Sequence, residues 1–193
     1  VLVDSAHGAH FGFGRFPKGA VECGADLVVH SLHKTLPCLT QTAMLHRNGN
    51  LVSGQDLQTA INMFQTSSPS YLLLASVEGC IGLAEARGDE LFEEWFEALK
   101  VFYGRMNSLK NLRVVSEQNE GSSLQRDPGK LVISAAGTDL TGTELMTVLR
   151  EKYHIELEMA GECYGLAMTG MGDTKESLLR LADALEALDK ECK

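Results

Sequence analysis

The sequence predicts an α/β protein, a mostly parallel sheet layered with helices and followed by a smaller α+β unit. Three observations carry that expectation. Val1-Leu2-Val3 and Leu27-Val28-Val29 are apolar, β-branched runs that read as buried strands of a parallel sheet. Leu91, Phe92, Trp95, Phe96, Leu99, Phe102 and Met106 recur at helical spacing, which marks a long amphipathic helix. From Leu112 onward the pattern changes to short strands and helices with a local core.

Taken in order, strands are expected over Val1–Val3, Asp26–Ser31 and Ala43–His46, the last closed by the Asn48-Gly49 turn. Gly12, Gly14 and Pro17 mark a loop between the first two. A short helix is expected over Pro17–Cys23, ending at Gly24. Ser53 suits the N-cap of a helix over Gly54–Gln65, and Ser68-Pro69-Ser70 leads into another over Tyr71–Arg87. Asp89 is expected to cap the long helix, which runs to about Leu109. Strands follow over Leu112–Val115, Lys130–Ser134, Ile155–Met159 and Tyr164–Met168. The polar stretch Glu117–Gly129 reads as a loop. Thr141 and Glu144 form a capping-box pattern for a helix to Glu151, and the last helix covers Asp173–Glu191. The division into domains is therefore 1–110 and 111–193.

Bulk properties exclude several classes of function. The chain has 193 residues, ample for a sizeable core. A net charge of -9 and the lack of a basic run argue against nucleic-acid binding. No apolar run is long enough to suggest a membrane span. The five cysteines are odd in number and form no C-x-x-C pair, which reads as reduced thiols in a cytoplasmic protein. His7 and His10 form H-x-x-H, but Gly8 and Ala9 offer no helix to align them and no third ligand is apparent, so no metal is expected.

The chemistry concentrates in the first fifty residues. Asp4 closes the first apolar run, and Lys34 lies just past the second. In an open α/β sheet both fall at the carboxyl edge of the strands, where such sheets bind ligands. A lysine there can form a Schiff base with an aldehyde cofactor, and an aspartate can keep a pyridine nitrogen protonated so that the ring draws electrons.

Several segments occur in order over residues 1 to about 85: Val3-Asp4-Ser5-Ala6-His7-Gly8-Ala9-His10, Gly24-Ala25-Asp26-Leu27-Val28-Val29, Ser31-Leu32-His33-Lys34-Thr35-Leu36-Pro37, Thr40-Gln41-Thr42-Ala43-Met44-Leu45-His46 and Thr66-Ser67-Ser68-Pro69-Ser70-Tyr71. Together they resemble the Orn/Lys/Arg decarboxylase family, of the aspartate-aminotransferase-like class of pyridoxal-phosphate enzymes. A looser match runs from Ile155 to Gly172. The resemblance implies that residues 1–110 are the C-terminal part of a cofactor-binding large domain. The small C-terminal domain follows, and the chain is expected to be a piece of a longer protein.

The resemblance also implies site residues. Lys34 would carry pyridoxal 5'-phosphate, Asp4 would pair with the pyridinium nitrogen, Ala6 would lie against a ring face and His7 near the ring. Ser31 and His33 would contact the phosphate. Ser67 and Ser68 would reach the other subunit's phosphate across a homodimer interface, although a helix N-cap alone accounts for Ser68. Glu158 would face the distal cation of the substrate. The implied reaction is decarboxylation of ornithine, lysine or arginine to a polyamine precursor. An aminotransferase or lyase of the same fold, or an inert folding or dimerisation module, stands as the alternative. An aminotransferase usually needs an arginine for the α-carboxylate, and Arg113, Arg126, Arg150 and Arg180 carry no such motif.

Overall fold

The computed structural model describes residues 1–116 and 125–192. The chain divides into two compact units, Val1–Phe92 and Glu93–Lys193. The division falls inside one long helix, whereas the sequence reading placed its boundary at that helix's end.

In the first unit, strand β1 (Leu2–Asp4) pairs parallel to β2 (Leu27–Ser31), and β2 pairs antiparallel to β3 (Ala43–Arg47). Leu2 lies opposite Leu27 and Asp4 opposite Val29, and Ser5 N donates to Val29 O at 2.9 Å. The sheet order is β1-β2-β3, so the outer strands each have one neighbour. Val28 in the central strand is wholly buried, but Val1 and Leu2 are 78% and 66% exposed. The expectation that Val1–Val3 is buried therefore fails. An apolar run fixes strand propensity, while burial needs a neighbour to supply cover.

One turn of helix, α1 (Leu32–Thr35), follows β2 directly. Helix α2 (Gly54–Phe64) begins as expected, its N-cap Ser53 accepting from Asp56 N, yet none of its residues is buried. Pro17–Cys23 is not a helix. It forms turns, with Cys23 N donating to Gly19 O, and reverses at Gly24 with φ +86°.

Two expected helices are one. Helix α3 runs unbroken from Tyr71 to Met106. Gly88 and Asp89 read as a break, but an interior glycine costs only about 1 kcal/mol. Arg87 offsets part of that by binding both carboxylate oxygens of Glu90 at 3.0 and 2.9 Å. The cap of α3 is Ser70, whose hydroxyl accepts from Leu73 N at 3.4 Å. Ser68 instead donates its backbone N–H to Thr66 Oγ1. At Phe92 the helix contributes to the first unit's core, stacked on Phe13 at 4.5 Å with Phe16 edge-on.

The second unit is built on a sheet of order β4-β5-β7-β6, all pairs antiparallel. Its strands are β4 (Arg113–Val114), β5 (Lys130–Ser134), β6 (Met159–Ala160) and β7 (Tyr164–Met168). Its helices are α4 (Gly142–Tyr153) and α5 (Lys175–Glu191). The Thr141–Glu144 capping box forms as predicted. The expected strand over Ile155–Met159 shrinks to β6. Ile155 N returns to Leu149 O behind the left-handed His154, so the segment starts tied to α4 and joins the sheet only from Glu158, whose N–H donates to Leu166 O. Residues 117–124 of the expected Glu117–Gly129 loop lie outside the described residues.

This unit has a continuous core. Trp95, Leu99, Phe102, Leu131, Ile133, Leu145, Leu149 and Leu185 are all at most 1% exposed. Trp95 Nε1 donates to Thr169 Oγ1 at 3.1 Å, so its polar edge is satisfied inside. Asp189 is also buried, and its carboxylate accepts the backbone N–H groups of Lys110, Asn111 and Leu112 at 2.7 to 3.2 Å. Gly142 opens α4 because nothing larger fits, a Cβ there falling 2.2 Å from Tyr164 O and 2.3 Å from Gly161 O. Among the described residues, no helix is long and apolar enough to cross a membrane.

Candidate active site

The parallel β1–β2 pair directs both strand ends to one edge of the first unit's sheet, and the polar side chains follow from that. Asp4 ends β1, exposed, and its Oδ1 accepts Ala6 N at 3.0 Å. This aspartate turn fixes the carboxylate and starts the reversal through His7 and Gly8. Gly8 is tightly packed, a Cβ there falling 2.4 Å from Ser5 Oγ. Ser31 ends β2 and stands at the N-cap of α1, but its hydroxyl makes no capping bond. Lys34 follows within α1, half-buried.

Lys34 Nζ lies 3.0 Å from His7 Nε2. An ammonium can only donate, so with Lys34 charged the imidazole accepts and a neutral His7 keeps its proton on Nδ1. His33 Nδ1 donates to Thr42 O at 3.0 Å, which leaves Nε2 as the ring's other polar atom. Thr42 O also accepts Leu32 N at 3.1 Å, so one carbonyl anchors both the start of α1 and the His33 ring. Thr42 is itself tied to Leu39 O through its N–H at 3.2 Å and its hydroxyl at 2.7 Å. Gln41, beside it, has φ +80°, a left-handed conformation that costs a side-chain-bearing residue about 1 kcal/mol or more. Backbone strain of this kind gathers where surrounding bonds over-determine a site.

Beneath this edge sits a histidine pair that sequence reasoning did not assemble. His30 Nδ1 and His46 Nε2 are 3.1 Å apart across β2 and β3. Burial lowers the His30 pKa, with further lowering from His46 and His10. Only the β2–β3 register, with Val28 opposite His46, brings the two together, and no local pattern states that register. His10 is fully buried, edge-on to Phe16 at 5.0 Å, while His7 is exposed. Among the described residues, no group of three or more His, Cys, Asp or Glu could hold a metal ion.

The structure thus gathers Asp4, Ala6, His7, Ser31, His33 and Lys34 around one sheet edge. Ser67 and Ser68 are exposed in the turn before α3. Glu158 is exposed just before β6 in the second unit, its N–H donating to Leu166 O at 2.8 Å.

Residues 1–125 match the family model described as Orn/Lys/Arg decarboxylase, major domain. The chain belongs to the Orn/Lys/Arg decarboxylase family. It is 34% identical over 194 residues to an arginine decarboxylase of Bacillus subtilis, covering 99% of this chain and 40% of that protein. It is 35% identical to one of Halalkalibacterium halodurans, covering 97% and 39%. The chain thus spans about two fifths of the length of the curated relatives it matches. In fold it resembles the lysine decarboxylase of Francisella novicida, with TM-score 0.71 and 20% identity over 85% of this chain and 28% of that one. An alanine–glyoxylate aminotransferase from Nostoc is also similar, with TM-score 0.69 and 16% identity over 97% and 53%. This family's α/β fold is therefore the aminotransferase-like one.

Proposed function

We propose that the protein carrying this chain decarboxylates a basic amino acid, ornithine, lysine or arginine, with pyridoxal 5'-phosphate at the β1–β2 edge. The observation that carries the reading is a half-buried lysine hydrogen-bonded to an imidazole, on the same sheet edge as a carboxylate that a neighbouring N–H orients. That donor set fits the cofactor. Asp4 would hold its ring nitrogen, Lys34 its aldehyde carbon, and Ser31 and His33 part of its phosphate. Ala6 would lie against one face of its ring. When bound, the cofactor supplies a carbonyl for an amine and a ring that withdraws electrons.

The chain's own residues do the rest. The Lys34 amine must be neutral to attack, and His7 Nε2 at 3.0 Å is the adjacent base for its proton. Asp4 would keep a positive charge on a bound ring by ion pairing, with Ala6 N holding one of its oxygens in place. Donation from Nδ1 to Thr42 O orients the His33 ring, and Nε2 would donate to an anion only with the ring as imidazolium. Glu158 would take the substrate's distal cation, and Ser67 and Ser68 would serve the neighbouring subunit of a homodimer or larger assembly. A cytoplasmic setting agrees with the five free cysteines. An aminotransferase reading is less favoured because Arg150 is committed to Glu156 and Arg180 to His154 O.

Borohydride treatment of the cofactor-loaded parent enzyme tests the assignment. The cofactor's mass should appear on the peptide carrying Lys34, and Lys34→Ala should reduce turnover by about a thousandfold or more. A label on any other lysine sinks the reading.

A further inference from the structure

Two cysteines of the first unit face each other across a turn that the proposed chemistry does not use. Cys38 lies four residues past Lys34, in the segment between α1 and β3. Cys80 lies in α3, one helical turn after Ser76 and so on the same helix face. Ser76 clamps the segment from that face. Its Oγ accepts Leu39 N at 2.9 Å and donates to Cys38 Sγ at 3.5 Å. With Cys38 held on Ser76, the next turn of the same helix face brings the Cys80 thiol alongside it. Cys38 is half-buried and Cys80 is buried.

We propose that Cys38 and Cys80 form a redox-modification site, in which a hydroperoxide converts the neighbouring thiols into a disulfide tying the segment after Lys34 to α3. The Cys38 sulfur, as thiolate, attacks the peroxide O–O bond. An S–O bond forms, the O–O bond breaks, and the hydroxide released takes a proton to become water. The Cys80 sulfur then attacks the sulfenic acid. The S–S bond forms, the S–O bond breaks, and the Cys80 proton leaves with the second hydroxide as water. Two thiols lose two electrons, and one hydrogen peroxide becomes two waters.

The order of attack follows from the surroundings. Burial raises the Cys80 pKa, and the neighbouring Cys38 raises it further, so Cys80 is a poor first nucleophile and serves as the resolving thiol. Cys38 is the one open to a small oxidant. The consequence reaches the lysine through hydrogen bonds already described. Leu39 O holds Thr42, and Thr42 O holds Leu32 N and the His33 ring. A covalent link at Cys38 restrains this chain at its base. The linkage requires nothing of the decarboxylase reading; only its effect on turnover does.

The test is made on the full protein and needs neither cofactor nor substrate. Hydrogen peroxide is added to the native protein, remaining thiols are blocked with a maleimide, and the digest is mapped without reductant. The expected result is loss of two of the five thiols in this chain and a peptide pair joining Cys38 to Cys80 that dithiothreitol separates. Oxidation in concentrated urea should lose that selectivity. Cys80→Ser should stop at a sulfenic acid on Cys38 that dimedone traps. Five intact thiols in this chain, or a dominant bond joining Cys38 or Cys80 to any other cysteine, overturns the proposal. The mapping of the unsubstituted chain decides the matter even if Cys80→Ser does not fold.

Discussion

The two units of this chain are built from similar residues, yet they dispose of them differently. From Glu93 onward nearly every large apolar side chain is covered, with only Val101 and Met159 exposed among the described residues. Before that point Val1, Leu2, Phe13, Leu39, Leu45, Leu51, Met63, Phe64, Tyr71, Leu72, Leu74 and Ile81 are all exposed. The second unit's four-stranded sheet is covered by helices that bury Leu145, Leu149, Leu181 and Leu185. The first has three strands, two of them edges, and a helix α2 with no buried residue. Local signals suffice to form an element, but partners decide whether its apolar face is covered. The candidate site therefore rests on backbone bonds around Thr42 and Asp4 more than on a packed core.

The contrast predicts where stability resides. Trp95→Ala should cost about 4 kcal/mol in urea unfolding, because it empties the core of the second unit and deprives the Thr169 hydroxyl of its indole donor. A cost under about 1 kcal/mol would mean that core is loosely packed. Asp189→Ala should cost about 3 kcal/mol by the same measurement, since it leaves three backbone donors without their acceptor. A loss confined to the first unit would contradict the assignment.

Acid should separate the units in sequence. The His30 pKa lies below its ordinary value, so the unfolded chain takes up that proton first. The associated stability is complete above about pH 6.5 and declines as pH falls below it. Burial acts to raise the Asp189 pKa, but its backbone hydrogen bonds win and hold it below the usual carboxylate range. Its contribution persists above about pH 4 and is lost only at lower pH. Hydrogen exchange followed by peptide, corrected for the intrinsic pH dependence, should show Leu27–Arg47 opening in milder acid than Lys110–Leu112. Simultaneous opening would erase the distinction. The smallest effect is expected at Leu2→Ala, within about 0.5 kcal/mol because the side chain is largely exposed. A cost of a full core residue would show β1 to be covered after all.

The sequence displayed what is local. Ser53, Thr141 with Glu144, and the Tyr164–Met168 and Lys130–Ser134 runs formed the caps and strands their patterns promised, because each depends on neighbours within a few residues. The family, too, was legible from ordered motifs before any geometry. Whatever needed distant partners was not. The one-turn α1 is stabilised from Thr42, the His30–His46 pair depends on register, and the continuity of α3 through Gly88 was hidden by residues that elsewhere end helices. The proximity of Lys34 to His7, 27 positions apart, required the β1–β2 pairing to bring the two turns together.

Gly142 turns a packing detail into a rule of tolerance. Its missing side chain is where the carbonyls of Gly161 and Tyr164 stand, and its N–H donates to Glu162 O. The start of α4 and the tip of the β6–β7 hairpin thus occupy one shared volume, with no slack for even a methyl group. Insertions are accommodated where chain can bulge into solvent; here a single added carbon must move a helix or a hairpin. In a saturation library this position should be almost barren. Survivors should carry second changes among residues 161–164, so that compensating variation, rather than any pattern in the sequence, reveals that the two elements are mortised together.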